Sequence, residues 1–156
     1  MVAGMMASGG GGGGGGHRYW GFTFTAIPGN PATYSVQMGE VRMKLVAGGA
    51  NVATGGTAGA SSSYSSTYAP AKAFDANTTT FWDSVAGVPQ SLWYDFGAGN
   101  DKAIVEYDLY PVTGDANEIP TAWTFWYSDD NITLTTVHTK TAQTLTAGSY
   151  NTYSAP

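Results

Sequence analysis

The chain is 156 residues long, enough for one core and one domain, and it has no cysteine, which excludes disulfides, thiolate nucleophiles and cysteine-held zinc. Only 11% of residues are charged, the formal net charge is −5, and the six Lys and Arg are scattered, so neither a nucleic acid nor an anionic membrane finds a basic stripe. No apolar run approaches the ~20 residues that cross a bilayer.

Residues 1–8 have neither the basic start nor the apolar stretch of a secretion signal, which points to synthesis in a cytosol. Residues 9–16 are eight consecutive glycines, whose backbone freedom opposes ordering. Residues 1–16 therefore read as a flexible Gly-rich arm and residues 17–156 as one domain. Beyond the arm, short apolar runs divided by turn clusters predict strands over 19–26, 37–47, 91–96, 102–111, 122–128, 134–141 and 149–154. In the fourth, Ala103, Val105, Tyr107 and Leu109 alternate with Lys102, Glu106 and Asp108, which predicts one buried and one solvated face. The turn signals Pro28-Gly29-Asn30-Pro31, Gly97-Ala98-Gly99-Asn100 and Gly114-Asp115-Ala116-Asn117 space these strands as in a sandwich. With no 3.6-residue periodicity over a helix-sized window, the expected fold is all-β: an antiparallel β-sandwich of jelly-roll type.

Trp20, Trp82, Trp93 and Trp123 fall on these strands or in spaced motifs, where burial is the expectation. Tyr34, Tyr64 and Tyr68 fall in loop or strand-edge segments and are the candidate ligand-binding aromatics, because sugar faces stack on such rings. Two histidines and no cysteine leave only acidic pairs such as Asp129-Asp130, whose Ser-Asp-Asp-Asn setting is that of a turn, so no catalytic set is expected.

The most specific stretch is residues 61–97, SSSYSSTYAPAKAFDANTTTFWDSVAGVPQSLWYDFG, followed by Pro120-Thr121-Ala122-Trp123-Thr124-Phe125-Trp126-Tyr127-Ser128-Asp129-Asp130. This spaced pattern resembles the discoidin domain, the coagulation-factor C-type and galactose-binding-like module also used as family-32 carbohydrate-binding modules. The resemblance implies non-covalent recognition and adhesion rather than catalysis. Two departures stand out: the family's Asp-Gly-Asn is Asp75-Ala76-Asn77 here, and Leu134 replaces an aromatic after the Ser-Asp turn. Arg18-Tyr19-Trp20 and Gly39-Glu40-Val41, which look like the family's last strands, stand first. Either the chain is circularly permuted or those strands are exchanged between subunits of a homo-oligomer.

The resemblance also implies a structural Ca2+. The matching positions are Lys72 and Asn77 through backbone oxygen, Asp75 and Thr80 through side chains, and Glu40 from the displaced strand. Such mixed oxygens suit a hard cation. The alternative is that Asp75 and Thr80 merely bond their own loop.

Two functions are expected from these readings. The first is a structural virion protein, a bacteriophage capsid decoration, fibre or tail-associated component, made in the host cytoplasm and held to other virion proteins by the arm as a subunit of an assembly. The alternative is a carbohydrate-binding module for attachment to host or surface glycan.

Overall fold

A computed structural model describes residues 15–156, so the arm expected over 1–16 lies outside the described residues except for Gly15 and Gly16. Ten strands follow in order: β1 (Tyr19–Ala26), β2 (Gln37–Met38), β3 (Glu40–Lys44), β4 (Thr57–Ala60), β5 (Trp82–Asp83), β6 (Gln90–Asp95), β7 (Glu106–Tyr110), β8 (Ala122–Ser128), β9 (Thr135–Lys140) and β10 (Asn151–Ser154). Their only helical companions among the described residues are three single 3-10 turns at Ser66–Tyr68, Pro70–Ala73 and Ala116–Glu118. All pairing is antiparallel. A five-stranded sheet in the order β4-β6-β1-β8-β9 faces a three-stranded sheet β10-β7-β3, and β2 with β5 forms a short ribbon. This is the expected all-β sandwich.

Alternation builds the core. Trp20, Phe22 and Phe24 of β1 stand opposite Tyr127, Phe125 and Trp123 of β8, and all six turn inward with Leu92 and Tyr94 of β6. Val41 and Met43 of β3, with Tyr107 and Leu109 of β7, close the core from the other sheet, and Met38 and Trp82 plug one end. The buried indoles of Trp20, Trp82 and Trp123 donate to the Lys102 carbonyl, the Ser62 carbonyl and the Tyr107 hydroxyl. Each such pairing removes the penalty of an unpaired buried N–H, about 1–3 kcal/mol.

The run expected over 37–47 is broken at Gly39, whose amide bonds the Tyr110 carbonyl at 2.9 Å. A Cβ there would lie 2.8 Å from Val112 and 2.9 Å from that carbonyl oxygen, so the backbone turns closely enough to divide β2 from β3. The alternation expected along 102–111 also fails in part. Ile104 is buried and Val105 exposed, while Glu106 and Asp108, expected in water, are buried around Lys44. The Lys44 ammonium lies 2.7 Å from Glu106 and 2.8 Å from Asp108, Gly48 N–H donates to Glu106, and the Thr152 hydroxyl donates to Asp108. The outer face of the small sheet is thus polar but covered.

Trp93 departs from its expected burial as well. Its strand neighbours Leu92 and Tyr94 point inward, so its indole stands on the outer face of the large sheet, half-buried.

Candidate functional site

The segment from residue 70 to residue 83 carries most of the candidate chemistry. The 3-10 turn Pro70–Ala73 begins with Pro at its first positions, where a missing N–H costs nothing, and ends as Phe74 packs on Tyr94. The chain then folds back on itself: Asp75 accepts from the Asn77 amide at 3.1 Å, and the Thr80 hydroxyl lies 2.8 Å and 2.9 Å from the two Asp75 oxygens and 3.0 Å from the Asn77 carbonyl. Ala76, where the family pattern has glycine, sits at φ +57°. The loop keeps the left-handed path at a cost of about 1 kcal/mol for an alanine.

Self-bonding alone would account for Asp75 and Thr80, but not for Glu40. The Glu40 side chain is wholly buried and neither carboxylate oxygen has a hydrogen-bond partner. Burial pushes its carboxyl up to about 7 and the nearby Asp75 charge adds to the push; the Ala76 and Asn77 amides and the Arg42 guanidinium pull the other way. Those two amides face the carboxylate without closing a hydrogen bond. An orphaned carboxylate held against the Asp75–Asn77 loop is the arrangement that a bound cation satisfies. Among the described residues no group of three or more His, Cys, Asp or Glu comes together. A cation here would therefore rely on two carboxylates, the Thr80 hydroxyl and the carbonyls of Lys72 and Asn77, an all-oxygen set that fits a hard cation such as calcium. Lys72 also places its ammonium 3.7 Å from Asp75, leaving that carboxylate partly neutralised.

The aromatic candidates divide. Tyr64, 70% exposed, meets Tyr68 edge-on at 6.2 Å, and Tyr68 packs on Phe81 at 4.8 Å. Tyr34 does not join them: its ring lies on Gly29, beside Asn117, where a Cβ would come within 2.5 Å of it. Phe81 continues the aromatic edge into an open cleft of about 530 Å³, lined also by Gln37, Thr78, Thr79, Tyr110 and Asp115. Thr78 and Thr79 belong to the loop that holds Asp75 and Thr80, and Tyr110 is the cross-strand partner of Glu40. The cleft and the candidate cation loop therefore share a wall. Phe81 was missed by sequence reasoning, although the buried Trp82 beside it gives the signal: adjacent strand residues point to opposite faces.

Neither histidine sits in a catalytic arrangement. His138 Nε2 is 2.7 Å from the Tyr107 hydroxyl, and its burial lowers its pKa. His17 stacks on Tyr127 at 3.5 Å and pairs with Asp129 at 3.0 Å. Asp130 accepts from the amides of Ile132 and Thr133 and from the Ser128 and Thr133 hydroxyls, which holds its carboxyl far below the usual range and makes it a turn residue, as expected.

The comparisons with known proteins agree with this architecture. The F5/8 type C domain family profile matches residues 57–156, well over half of the chain. No curated protein and no solved structure matches it. Residues ahead of that match supply β1, at the centre of the large sheet, β3, at the edge of the small one, and Glu40 itself. The chain belongs to the F5/8 type C, or discoidin, domain family, a family of typically non-catalytic binding modules.

Proposed function

We propose that this chain is a non-enzymatic adhesion module that binds a surface glycan at the loop end of the sandwich, with a calcium ion holding one wall of the site. The observation that carries the reading is the continuity of Tyr64, Tyr68 and Phe81 with the cleft whose other wall is the Asp75–Thr80 loop. The rings offer the flat apolar surface on which a pyranose packs, and Gln37, Thr79 and Asp115 offer polar groups at its rim. Calcium supplies no chemistry in this role beyond positive charge: bound by Glu40, Asp75 and Thr80 with the Lys72 and Asn77 carbonyls, it fixes the loop that carries Thr78 and Thr79. Placement on a virion, tethered by residues 1–16 to other virion proteins, rests on the octaglycine run and the composition alone, and particle incorporation of a chain lacking residues 1–16 tests it.

The glycan reading is tested on an array, in calcium and in chelator, with the wild-type chain and a Tyr64→Ala, Phe81→Ala variant. Selective binding that needs calcium and is lost in the variant is the expected result. Glycan binding that survives both changes, or no binding to any glycan, would remove the reading.

A further inference from the structure

We propose that the outer face of the five-stranded sheet is a second saccharide-binding surface, on which Trp93 is the platform for the pyranose rings of an uncharged polysaccharide. It shares only the ligand class with the loop-end reading, and the residues are different. In the register of the sheet, Gly59 of β4, Trp93 of β6, Gly21 of β1 and Trp126 of β8 form one row across four strands. The two glycines make the row flat. A Cβ on Gly59 would lie 2.4 Å from the Trp93 indole, and one on Gly21 would lie 2.6 Å from both Trp126 and the Trp93 Cβ. Each indole thus lies down over the glycine of the neighbouring strand, and any larger residue would lift it off the sheet.

The two rings have different roles. Trp126 is 2% exposed and donates its N–H to the Thr23 hydroxyl at 3.1 Å, so it is the floor of the surface. Trp93 is half-buried, and among the described residues its indole N–H alone of the five has no acceptor, whereas those of Trp20, Trp82, Trp123 and Trp126 are all engaged. A half-buried ring with an unengaged donor at its edge is a poor way to cover a sheet and a good way to hold a sugar, whose C–H face stacks while its hydroxyls accept.

The surroundings choose an uncharged ligand. On one side of the row, Arg18 and Asp95 neutralise each other through two contacts of 2.8 Å, with the guanidinium over the Tyr19 ring at 4.8 Å. On the other side stand hydroxyls: Thr23 and Ser91, 3.0 Å apart, with Thr124 beside them. Among the described residues no unpaired charge lies along the strip, so a polyanion finds no counter-ion and a polyol finds donors and acceptors. From Asp95 to Ser91 the strip is about 13 Å long, room for more than one sugar ring.

The test is affinity electrophoresis through native gels containing hydroxyethylcellulose, galactomannan or xylan, with tryptophan fluorescence titration of any polysaccharide that retards the chain. Wild type, Trp93→Ala, Trp93→Phe and the Tyr64→Ala, Phe81→Ala variant are compared, each with its melting curve. Retardation of wild type by at least one polysaccharide is expected, with affinity about tenfold weaker in W93A and intermediate in W93F, which keeps a ring but loses the donor. The tenfold loss caused by W93A should be the same in the Tyr64→Ala, Phe81→Ala background and in chelator, because this face is built on strands. Unchanged binding by W93A and W93F, a W93A effect that disappears in the loop-variant background or in chelator, or no retardation of wild type by any of the three would overturn the proposal. The first result would leave the loop-end site standing, and the array decides that site independently.

Discussion

Glutamate 40 gives the sharpest test of the site, because its protonation and a bound cation act in opposite directions. Its carboxyl rises from 4.5 to about 7 on folding, mainly through burial. A raised acid means that the folded state holds the proton more tightly, so the contribution of this group is fully present below about pH 4.5 and is lost as pH rises through about 7. The shift amounts to about 3 kcal/mol, or about 10 °C in Tm for a domain of this size. Glu40→Gln removes the ionisation but adds amide hydrogens that face the Ala76 and Asn77 amides, a mismatch of about 1–3 kcal/mol that does not vary with pH. The informative quantity is therefore the change with pH of the wild-type minus E40Q difference. In chelator, wild type should lose about 3 kcal/mol relative to E40Q between pH 5 and pH 8. Calcium at a hundred times its Kd should return about 2.7 kcal/mol to wild type at pH 8, little at pH 5 where Glu40 is protonated, and nothing to E40Q. Melting curves at the two pH values, with calcium and with chelator, measure all of this. A parallel pH dependence of wild type and E40Q in chelator would refute the burial argument, and an equal calcium response in both would refute the cation site.

Ala76→Gly should stabilise the chain by about 1 kcal/mol, read as a higher urea midpoint, because Ala76 at φ +57° holds a conformation that glycine adopts freely; an unchanged or lower midpoint would contradict it. Lys44→Met should cost about 3 kcal/mol or more, since it leaves Glu106 and Asp108 buried without their cation. The same variant should flatten the acid limb of stability. Lys44 holds the Glu106 carboxyl below its usual range, so that contribution is present above about pH 4.5 and is lost as pH falls, and without Lys44 there is less to lose. A chain reduced to residues 57–156 should show no cooperative unfolding by circular dichroism, because β6 and β8 would both lose the strand between them. If that fragment melts cooperatively, β1 is not the keystone of the large sheet.

Strands with one clear face could be read from the chain. Those over 19–26 and 122–128 match β1 and β8 residue for residue, because aromatics alternate with small or polar residues from Trp20 along β1, and β8 is filled with aromatic and β-branched residues bounded by turn signals. Strand β4, Thr57–Ala60, was not legible: its Thr-Ala-Gly-Ala has no bulky inward residue, and its glycine serves the Trp93 ring of a neighbouring strand. The buried charges of β7 escape the sequence pattern for a similar reason. Alternation predicts which face is polar but not whether a loop covers that face, and here the loop bearing Gly48 does. At the site, the Asp75–Thr80 loop is a local feature and its spacing shows in the chain. The orphaned state of Glu40 is not, since it depends on a contact across more than thirty positions in sequence.

The placement of Glu40 ties the fold to the candidate site in this chain. β3 lies ahead of the family match in sequence, yet it carries the carboxylate that faces the Asp75 loop inside it. Lys44, four residues further along the same strand, fastens β3 to β7 through Glu106 and Asp108, and Val41 and Met43 anchor the strand's inner face in the core. Glu40 is therefore held by packing and by an ion cluster that are indifferent to the ligand. A strand so fixed cannot withdraw its carboxylate to water when no cation is present, and the remaining responses are to take up a proton or to strain the loop. The first would make the cleft wall sensitive to pH near neutrality, and the second is the strain that the proposed calcium ion would relieve. Both act on the segment that carries Thr78 and Thr79 into the cleft. Sites on the loop end should accordingly respond to these two variables, whereas the Trp93 face, built on four paired strands, should respond to neither.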